Sequence, residues 1–393
     1  MELPVLRLLP GRDRRLRSGH PWIYANEIRT EDLKEVAAGS LVRVQNAARK
    51  GLGIAYANPH SLIVARMLTR RRDAVIDRNF FIRRIERALA LRERLWAEPC
   101  YRLVHAEGDG LPGLVVDRFG PHLVVQLNTA GAERLWPLVA EALEEVVRPA
   151  SVLLRNDSPV RELEGLGREV RVHKGEPPEL AEVREEDLTF LADLRSGQKT
   201  GWFYDQALNR RLVRLFAREA TVLDLFTYSG GFALHALRAG ARQAVLVDSS
   251  AAALALAERN ARLQGMASRV EMREADAFAA LEALRSEGRS FDLVIADPPS
   301  FVRSKNQLAR GLRSYRRLAE ACARLTAAGG VLAVACCSHN VPLELFLREL
   351  GLGIKAATRG ARRLLVSGQS PDHPVHPMLA ETAYLKFVAF ALD

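Results

Sequence analysis

From about residue 188 onward, the chain alternates between short apolar runs and segments with helical spacing. The short runs are typical of strands that are buried in a sheet. Because a helix between two strands carries the chain back to a parallel start, this alternation predicts a parallel, doubly wound sheet. The predicted strands are residues 222–226, 244–248, 270–273, 293–296 and 331–335.

The first 72 residues show a different pattern, with short apolar runs at 41–46, 52–58 and 62–68. Turn residues such as Gly39, Gly51, Asn58 and Pro59 separate these runs. Strands that are this short and closely spaced indicate a small β-barrel.

The region between these two patterns mixes helices and strands. Helical spacing covers residues 74–96 and 133–147, a β-meander is indicated at 101–129, and strands at 151–155 and 170–173. We therefore predict an α/β protein in three parts: a small β-barrel domain (1–72), an α+β middle domain (73–187) and a Rossmann-like doubly wound domain (188–393).

Composition narrows the class of protein. The chain has 393 residues, of which 48% are hydrophobic and 26% charged, as in globular proteins. No run approaches the roughly 18 apolar residues of a membrane helix, and no secretory signal is visible. Four cysteines without a CxxC pair argue against a disulfide framework and against a zinc site. We therefore expect a cytoplasmic protein without a metal.

The formal net charge of +10 favours a polyanionic partner, although a surface from an arginine-rich proteome would give the same composition. Two basic clusters surround the predicted barrel and favour a nucleic-acid surface. Segment 15–28 and the strands after it resemble a PUA domain, an RNA-binding module of RNA-modifying enzymes. The clusters are Arg7, Arg12, Arg14, Arg15 and Arg17, and Arg66, Arg70, Arg71 and Arg72.

Residues 221–241 follow the order strand, glycine turn, helix, which lets a backbone approach a ligand at a helix N-terminus. The turn lacks the GxGxxG spacing, so a dinucleotide-binding oxidoreductase is poorly supported. Asp248 ends the next strand, where an acidic residue commonly holds ribose hydroxyls. Asp276 follows the third strand and could pair with an adenine amino group, while Ala277 and Phe278 pack on the ring.

In order, the motifs DLFTYSGGF, VDSS, EADAF and ADPPSF resemble class I S-adenosylmethionine-dependent methyltransferases. The resemblance implies S-adenosylmethionine as the cofactor. The candidate cofactor-binding residues on these motifs are Asp224, Phe226, Tyr228, Ser229, Gly230, Asp248, Ser249, Asp276, Ala277 and Asp297.

Segment 196–211, SGQKTGWFYDQALNRR, resembles a loop of bacterial 23S ribosomal RNA cytosine-5 methyltransferases. In that family the loop lies over the methionine portion of the cofactor. The resemblance adds Tyr204, Asp205 and Gln206 to the candidate cofactor site, although Asp205 could instead cap a helix.

The strand ends at Asp297 and at the pair Cys336 and Cys337 provide the candidate chemistry. Carbon 5 of a pyrimidine is a weak nucleophile, and addition of a thiolate to carbon 6 activates it. An acid that supports ring nitrogen 3 relieves the developing charge. Asp297 and one of the two cysteines match these roles.

Alternation along a strand places Cys336 with Leu332 and Val334, and Cys337 on the opposite face. Cys337 precedes Ser338 and so resembles the cysteine of the family's CS motif. We therefore assign the catalytic role to Cys337 and a packing role to Cys336.

Pro299 departs from the pattern of many RNA cytosine-5 methyltransferases, which carry a second cysteine at that position. DPP before an aromatic residue also resembles enzymes that methylate nitrogen atoms, which leaves guanine methylation as an alternative. A non-catalytic RNA-binding assembly factor is a third. Phe301, Arg303 and Lys305 are candidates for holding a flipped base. The expected partner is 23S ribosomal RNA or a large-subunit assembly intermediate, and a homodimer is left open.

Overall fold

The computed structural model describes residues 3–393 and divides the chain into two compact units. The first unit comprises the residues up to 181 together with segments 193–204 and 372–382. The second comprises residues 182–192, 205–371 and 383–393. Each unit thus combines segments that are far apart in the sequence. The division into three domains, with boundaries at residues 72 and 187, stays a prediction.

The first unit begins with a five-stranded sheet of order β1-β3-β4-β5-β2. Strands β1 and β3 run parallel, and the other neighbouring pairs are antiparallel. Alternate residues such as Val42 and Val44 point into a buried core. The elements are β1 (Val5–Arg7), α1 (Arg14–Arg17), β2 (Trp22–Ile23), β3 (Ser40–Gln45), β4 (Gly51–Ala57) and β5 (Ala65–Thr69).

Strand β5 begins three residues later than its apolar run suggested. Asn58 starts a turn in which its Oδ1 accepts a hydrogen bond from the backbone N–H of His60. Leu62 therefore lies on the surface, with 83% of its area exposed.

A second five-stranded sheet of the first unit, of order β10-β9-β8-β7-β6, packs against two helices. Each helix begins at a side chain that accepts a backbone N–H, Asp77 for α2 and Thr129 for α3. The elements are α2 (Arg78–Leu95), β6 (Cys100–His105), β7 (Leu114–Phe119), β8 (His122–Leu127), α3 (Ala130–Val147), β9 (Ser151–Asn156) and β10 (Glu169–Lys174).

The second unit starts within the hairpin of β11 (Ala181–Glu185) and β12 (Leu188–Ala192) and is built on a seven-stranded sheet of order β15-β14-β13-β16-β17-β19-β18. Its remaining elements are α4 (Ala207–Val213), β13 (Thr221–Leu225), α5 (Gly231–Arg238), β14 (Gln243–Asp248), α6 (Ala251–Leu263), β15 (Val270–Glu274), α7 (Ala277–Ser286), β16 (Phe291–Ala296), α8 (Leu308–Leu325), β17 (Thr326–Cys337), α9 (Leu343–Ala356), β18 (Ala361–Ser367) and β19 (Leu385–Leu392).

Strands β13 to β17 are parallel, as predicted, and a helix connects each to the next. The α/β fold class with a doubly wound sheet is therefore confirmed. Strands β18 and β19, which the sequence pattern did not predict, add an antiparallel edge. The strand order reverses between β13 and β16, where a sheet of this kind leaves a crevice at its carboxyl ends. Among the described residues, no helix has the length and apolarity to cross a membrane.

Candidate active site

The loop between β13 and α5 forms the centre of this crevice and has an unusual backbone. Phe226, Tyr228 and Gly230 all have positive φ, at 61°, 49° and 82°. The left-handed conformation costs a non-glycine residue about 1–2 kcal/mol, so the surrounding structure must hold Phe226 and Tyr228 in place.

Two aspartates hold this loop. Asp224 Oδ2 accepts hydrogen bonds from Thr227 Oγ1 at 2.7 Å and from the N–H of Ala233 at 3.1 Å. Asp248 Oδ2 accepts from the N–H of Tyr228 at 2.9 Å. The acids predicted at the ends of β13 and β14 therefore set the shape of the glycine turn.

Asp224 is fully buried, and its second oxygen, Oδ1, has no hydrogen-bond partner among the described residues. Burial raises the pKa of Asp224 to about 7, and the nearby charges of Asp297 and Asp248 act in the same direction. A buried polar atom without a partner is costly unless a ligand satisfies it. Asp224 thus has the features of a ligand-binding carboxyl.

The next two predicted sites lie at the end of β14 and between β15 and α7. Asp248 is half-buried, and its Oδ1 also accepts from the N–H of Ser250, while Ser249 is exposed. Asp276 is exposed and caps α7, since its Oδ1 accepts from the N–H groups of Phe278 and Ala279. Ala277 is buried.

Strand register brings the predicted catalytic pair to one edge. Strands β16 and β17 are parallel neighbours with Ala296 opposite Val334, so Asp297 and Cys337 both follow the paired segments. The Sγ of Cys337 lies 3.8 Å from the carbonyl oxygen of Pro298. The thiol is therefore next to the DPPS segment, as the sequence predicted.

The two cysteines have different surroundings. Cys336 is fully buried within the apolar core, and burial raises the pKa of its thiol. Cys337 is half-buried. This difference agrees with the alternation of faces, because neighbouring residues on a strand point in opposite directions.

Lys386 of β19 makes a contact that the sequence analysis missed. It is half-buried, and its Nζ donates to the carbonyl oxygen of Ser338, the residue after Cys337, at 2.6 Å. Burial lowers the pKa of Lys386. The sequence signal that could have indicated this contact is the single lysine in the otherwise apolar run LKFVAFAL.

The FYDQ segment divides between the units. Asp205 is buried and accepts from Tyr384 Oη at 2.7 Å, and Gln206 accepts from Asn209 Nδ2 at 2.6 Å, both within the second unit. Tyr204 belongs to the first unit, where its hydroxyl donates to the carbonyl of Arg118 at 2.8 Å. Tyr384 was also missed by the sequence analysis.

The candidate substrate residues lie on the loop after Asp297. Phe301 is half-buried, with its ring 4.8 Å from that of Tyr315, so part of its surface already packs on the core. Arg303 and Lys305 are exposed. A hydrogen bond fixes the start of this loop, because Ser338 Oγ donates to the carbonyl oxygen of Val302 at 2.6 Å.

A buried charged cluster supports helix α5 from behind. Glu185 accepts from Arg210 Nε at 2.8 Å and lies 3.1 Å from His235 Nε2. Although burial alone would raise it, the Arg210 guanidinium and the hydrogen bond with His235 hold the pKa of Glu185 well below its usual range. The negative charge of Glu185 is balanced within the cluster by Arg210, so we assign the cluster a structural role. Among the described residues, no group of side chains with metal-ligating chemistry was found.

Comparison with family models identifies two matches. Residues 168–387 match a model described as S-adenosylmethionine-dependent methyltransferase. Residues 6–70 match a model described as PUA-like domain. The presence of a PUA-like domain and of a methyltransferase domain, and S-adenosylmethionine as the cofactor, are thereby confirmed.

Curated relatives match over almost the whole chain. The ribosomal RNA large subunit methyltransferase I of Erwinia tasmaniensis is 36% identical over 389 residues, covering 97% of each chain. The protein of the same name from Aliivibrio fischeri is 36% identical over 384 residues, covering 96% of this chain and 97% of the relative.

Solved structures show the same fold. A structure named as a SAM-dependent methyltransferase from Streptococcus mutans has a TM-score of 0.82 at 20% identity, covering 98% of this chain and 99% of that one. SMU.776, named as a methyltransferase complexed with SAH, has a TM-score of 0.84 at 19% identity, with the same coverage.

Proposed function

Since the chain belongs to the family of the ribosomal RNA large subunit methyltransferase I proteins, within the S-adenosylmethionine-dependent methyltransferases, we propose that it methylates carbon 5 of a cytosine in 23S ribosomal RNA. The substrate is the free RNA or a large-subunit assembly intermediate. The observation that carries the proposal is the Cys337 thiol, 3.8 Å from the carbonyl of Pro298 and so beside Asp297. A ribosomal substrate agrees with the expected cytoplasmic location.

The residues of the crevice fit S-adenosylmethionine. Asp224 Oδ1 is buried without a partner among the described residues, and the glycine turn leads into the N-terminus of α5. In our proposal Asp248 holds the ribose hydroxyls and Asp276 the adenine amino group, with Ala277 under the ring. Phe226, Tyr228, Ser229 and Gly230 form the turn, Ser249 directly follows Asp248, and Asp205 and Gln206 complete the site within the second unit. When bound, the cofactor supplies the methyl group that carbon 5 accepts.

The protein's own residues activate the base. The Cys337 thiolate adds to carbon 6, forming a sulfur–carbon bond, and the electron pair of the 5,6 double bond moves to carbon 5. Asp297 supports ring nitrogen 3 as charge develops there. After methylation, loss of the carbon 5 proton to a base restores the double bond and expels the thiolate. Phe301, Arg303 and Lys305 hold the flipped nucleotide in this proposal.

The test uses the wild-type protein, Cys337→Ala and Cys336→Ala with labelled cofactor and an unmodified 23S ribosomal RNA transcript. We expect 5-methylcytidine from the wild-type protein and from Cys336→Ala, and none from Cys337→Ala, which should still bind the cofactor. RNA containing 5-fluorocytosine should form a stable covalent adduct with the wild-type protein, because the fluorine cannot leave as the proton does.

The alternatives predict different results. Methylated guanine in the digest, together with continued turnover by Cys337→Ala, would assign the protein to nitrogen methylation. Loss of product in Cys336→Ala alone would transfer the nucleophile to Cys336. Cofactor binding without transfer to any base would favour a non-catalytic assembly factor.

A further inference from the structure

The first unit contains a cavity of about 310 Å³ that takes no part in the proposed chemistry. It is formed by the end of β5, by Arg84 on α2, by the turn around Gly110 and by His376. Arg70 and Arg71 follow β5 directly and lie at its rim. Gly19 and Pro21 complete the lining, so the cavity is built from five separate stretches of the first unit.

Arg84 is half-buried in this cavity without an acidic partner. Its guanidinium donates to the carbonyl oxygens of Gly110 and Leu68 and lies 4.5 Å from the ring centre of Phe80. No carboxylate of the described residues lies within ion-pair distance of it. Burial, with a smaller effect from Arg87, lowers the pKa of Arg84 to about 10. Its charge is thus partly desolvated and not neutralised by the protein.

The acidic residue of the lining, Glu107, is already engaged. Its Oε1 accepts from Trp22 Nε1 at 2.7 Å and from Arg66 Nη1 at 2.9 Å. Arg66 also lies 3.5 Å from Glu164. Glu107 therefore contributes to a buried ion-pair network and does not compensate Arg84.

The two rim arginines increase the positive charge. Arg70 is exposed, and its Nη1 donates to the carbonyl oxygen of Leu16 at 2.6 Å. Arg71 is also exposed. Neither has a carboxylate within ion-pair distance among the residues that the structure describes. Three arginines thus line one cavity. The guanidinium groups of Arg70 and Arg84 donate to backbone carbonyl oxygens.

We propose that this cavity binds a phosphodiester group of the RNA substrate, held by Arg84 from inside and by Arg70 and Arg71 at the rim. A guanidinium matches two phosphate oxygens in a bidentate arrangement, which neither a carbonyl nor water reproduces. The identity of the RNA rests on the proposed function. The cavity then holds the RNA backbone in a fixed register on the first unit, independently of the base that is modified.

The test compares Arg71→Gln and Arg84→Gln with Arg83→Gln, a matched control that removes the same charge from an exposed residue of α2 outside the cavity. Binding to an unmodified 23S ribosomal RNA transcript is measured by filter retention over a series of KCl concentrations, without cofactor. Loss of one phosphate contact should weaken binding about five- to eightfold at 0.1 M salt and reduce the slope of log K against log salt by about 0.7–0.9. Circular dichroism and thermal unfolding establish whether each variant is folded. If Arg84→Gln does not fold, Arg71→Gln still tests the cavity.

Equal affinity and slope for Arg71→Gln and Arg83→Gln would overturn the proposal, because surface charge alone would then account for binding. Inorganic phosphate, titrated calorimetrically, provides the second arm. Binding of phosphate that depends on Arg84, with an unchanged RNA slope, would indicate a site for free phosphate and also overturn it. Failure of methyl transfer with the predicted slope changes would reject the proposed function and leave the cavity proposal standing.

Discussion

The glycine turn of the second unit and the cavity of the first unit differ in the sign of the charge that lacks an ionic partner. In the second unit, Asp224 and Asp248 interact with backbone N–H groups and a hydroxyl, and no cation lies within ion-pair distance of either among the described residues. In the first unit, Arg70 and Arg84 interact with backbone carbonyls. One unit thus presents acids around a glycine turn, and the other presents arginines around a cavity.

Two fully buried or nearly buried charges elsewhere, one in each unit, form ion pairs. Arg92 is fully buried and contacts both carboxylate oxygens of Asp109, at 2.6 and 2.8 Å. Glu185 pairs in the same way with Arg210. The comparison indicates that compensated charges support the fold, whereas charges lacking an ionic partner at a crevice or cavity await a ligand. This distinction can be tested through stability.

The largest difference is expected between two arginines of helix α2. Arg92→Met leaves Asp109 buried without its partner and should lower the free energy of unfolding by about 3–5 kcal/mol. Arg84→Met removes a charge that has no carboxylate partner, but it leaves the carbonyl oxygens of Gly110 and Leu68 without their donor, so we expect a smaller loss of about 1–2 kcal/mol. Urea denaturation of both variants measures the difference. Equal losses would remove the distinction between the two classes of arginine.

The next prediction concerns the pH dependence contributed by Asp224. Burial raises its pKa from the ordinary 3.8 to about 7, so between these values the folded protein holds a proton that the unfolded chain releases. The free energy of unfolding should therefore fall as the pH rises through this window, by at most about 1.4 kcal/mol per pH unit. Above about pH 7 the contribution should be constant.

Asp224→Asn lacks this titration and should be more stable relative to the wild-type protein at pH 7 than at pH 5. Denaturation curves at intervals between pH 5 and pH 8 give the difference between the two proteins. Parallel pH profiles would show that the carboxyl is ionised throughout. Its burial would then have to be compensated by the fold, contrary to the comparison above.

The smallest effect tests an intermediate case, a buried carboxyl bonded to a neutral hydroxyl. Tyr384→Phe removes the 2.7 Å hydrogen bond to Asp205 Oδ2 and should lower the free energy of unfolding by about 1 kcal/mol. A double-mutant cycle with Asp205→Asn isolates the interaction from other effects of each substitution. A coupling energy near zero would mean that water replaces the hydroxyl without loss.

Much of the candidate site could be predicted because it depends on local order. Asp224 and Asp248 lie near or at the end of an apolar strand, Asp297 directly follows one, and parallel strands place their carboxyl ends at one edge. The alternation of side chains likewise separates Cys336 from Cys337 within two neighbouring positions. These inferences need only the period of a strand and the order of the elements. The catalytic and binding roles of these residues stay proposals.

Contacts between distant segments could not be predicted in this way. Tyr384 and Asp205 are separated by 179 positions, and Lys386 and Ser338 by 48. Strand β19 brings Lys386 beside the cysteines through antiparallel pairing with β17, and its apolar sequence does not specify its neighbour. The cavity of the first unit has the same origin, since its lining comes from five stretches of chain.

The sequence by itself therefore determined the doubly wound sheet, the order of the acids along its edge and the different faces of the two cysteines. The tertiary structure decided which charges are compensated. Whether an arginine is paired, like Arg92, or faces only carbonyls, like Arg84, depends on residues of other elements that folding brings beside it. Local patterns determine where a side chain points, but the energy of its charge depends on the groups packed around it.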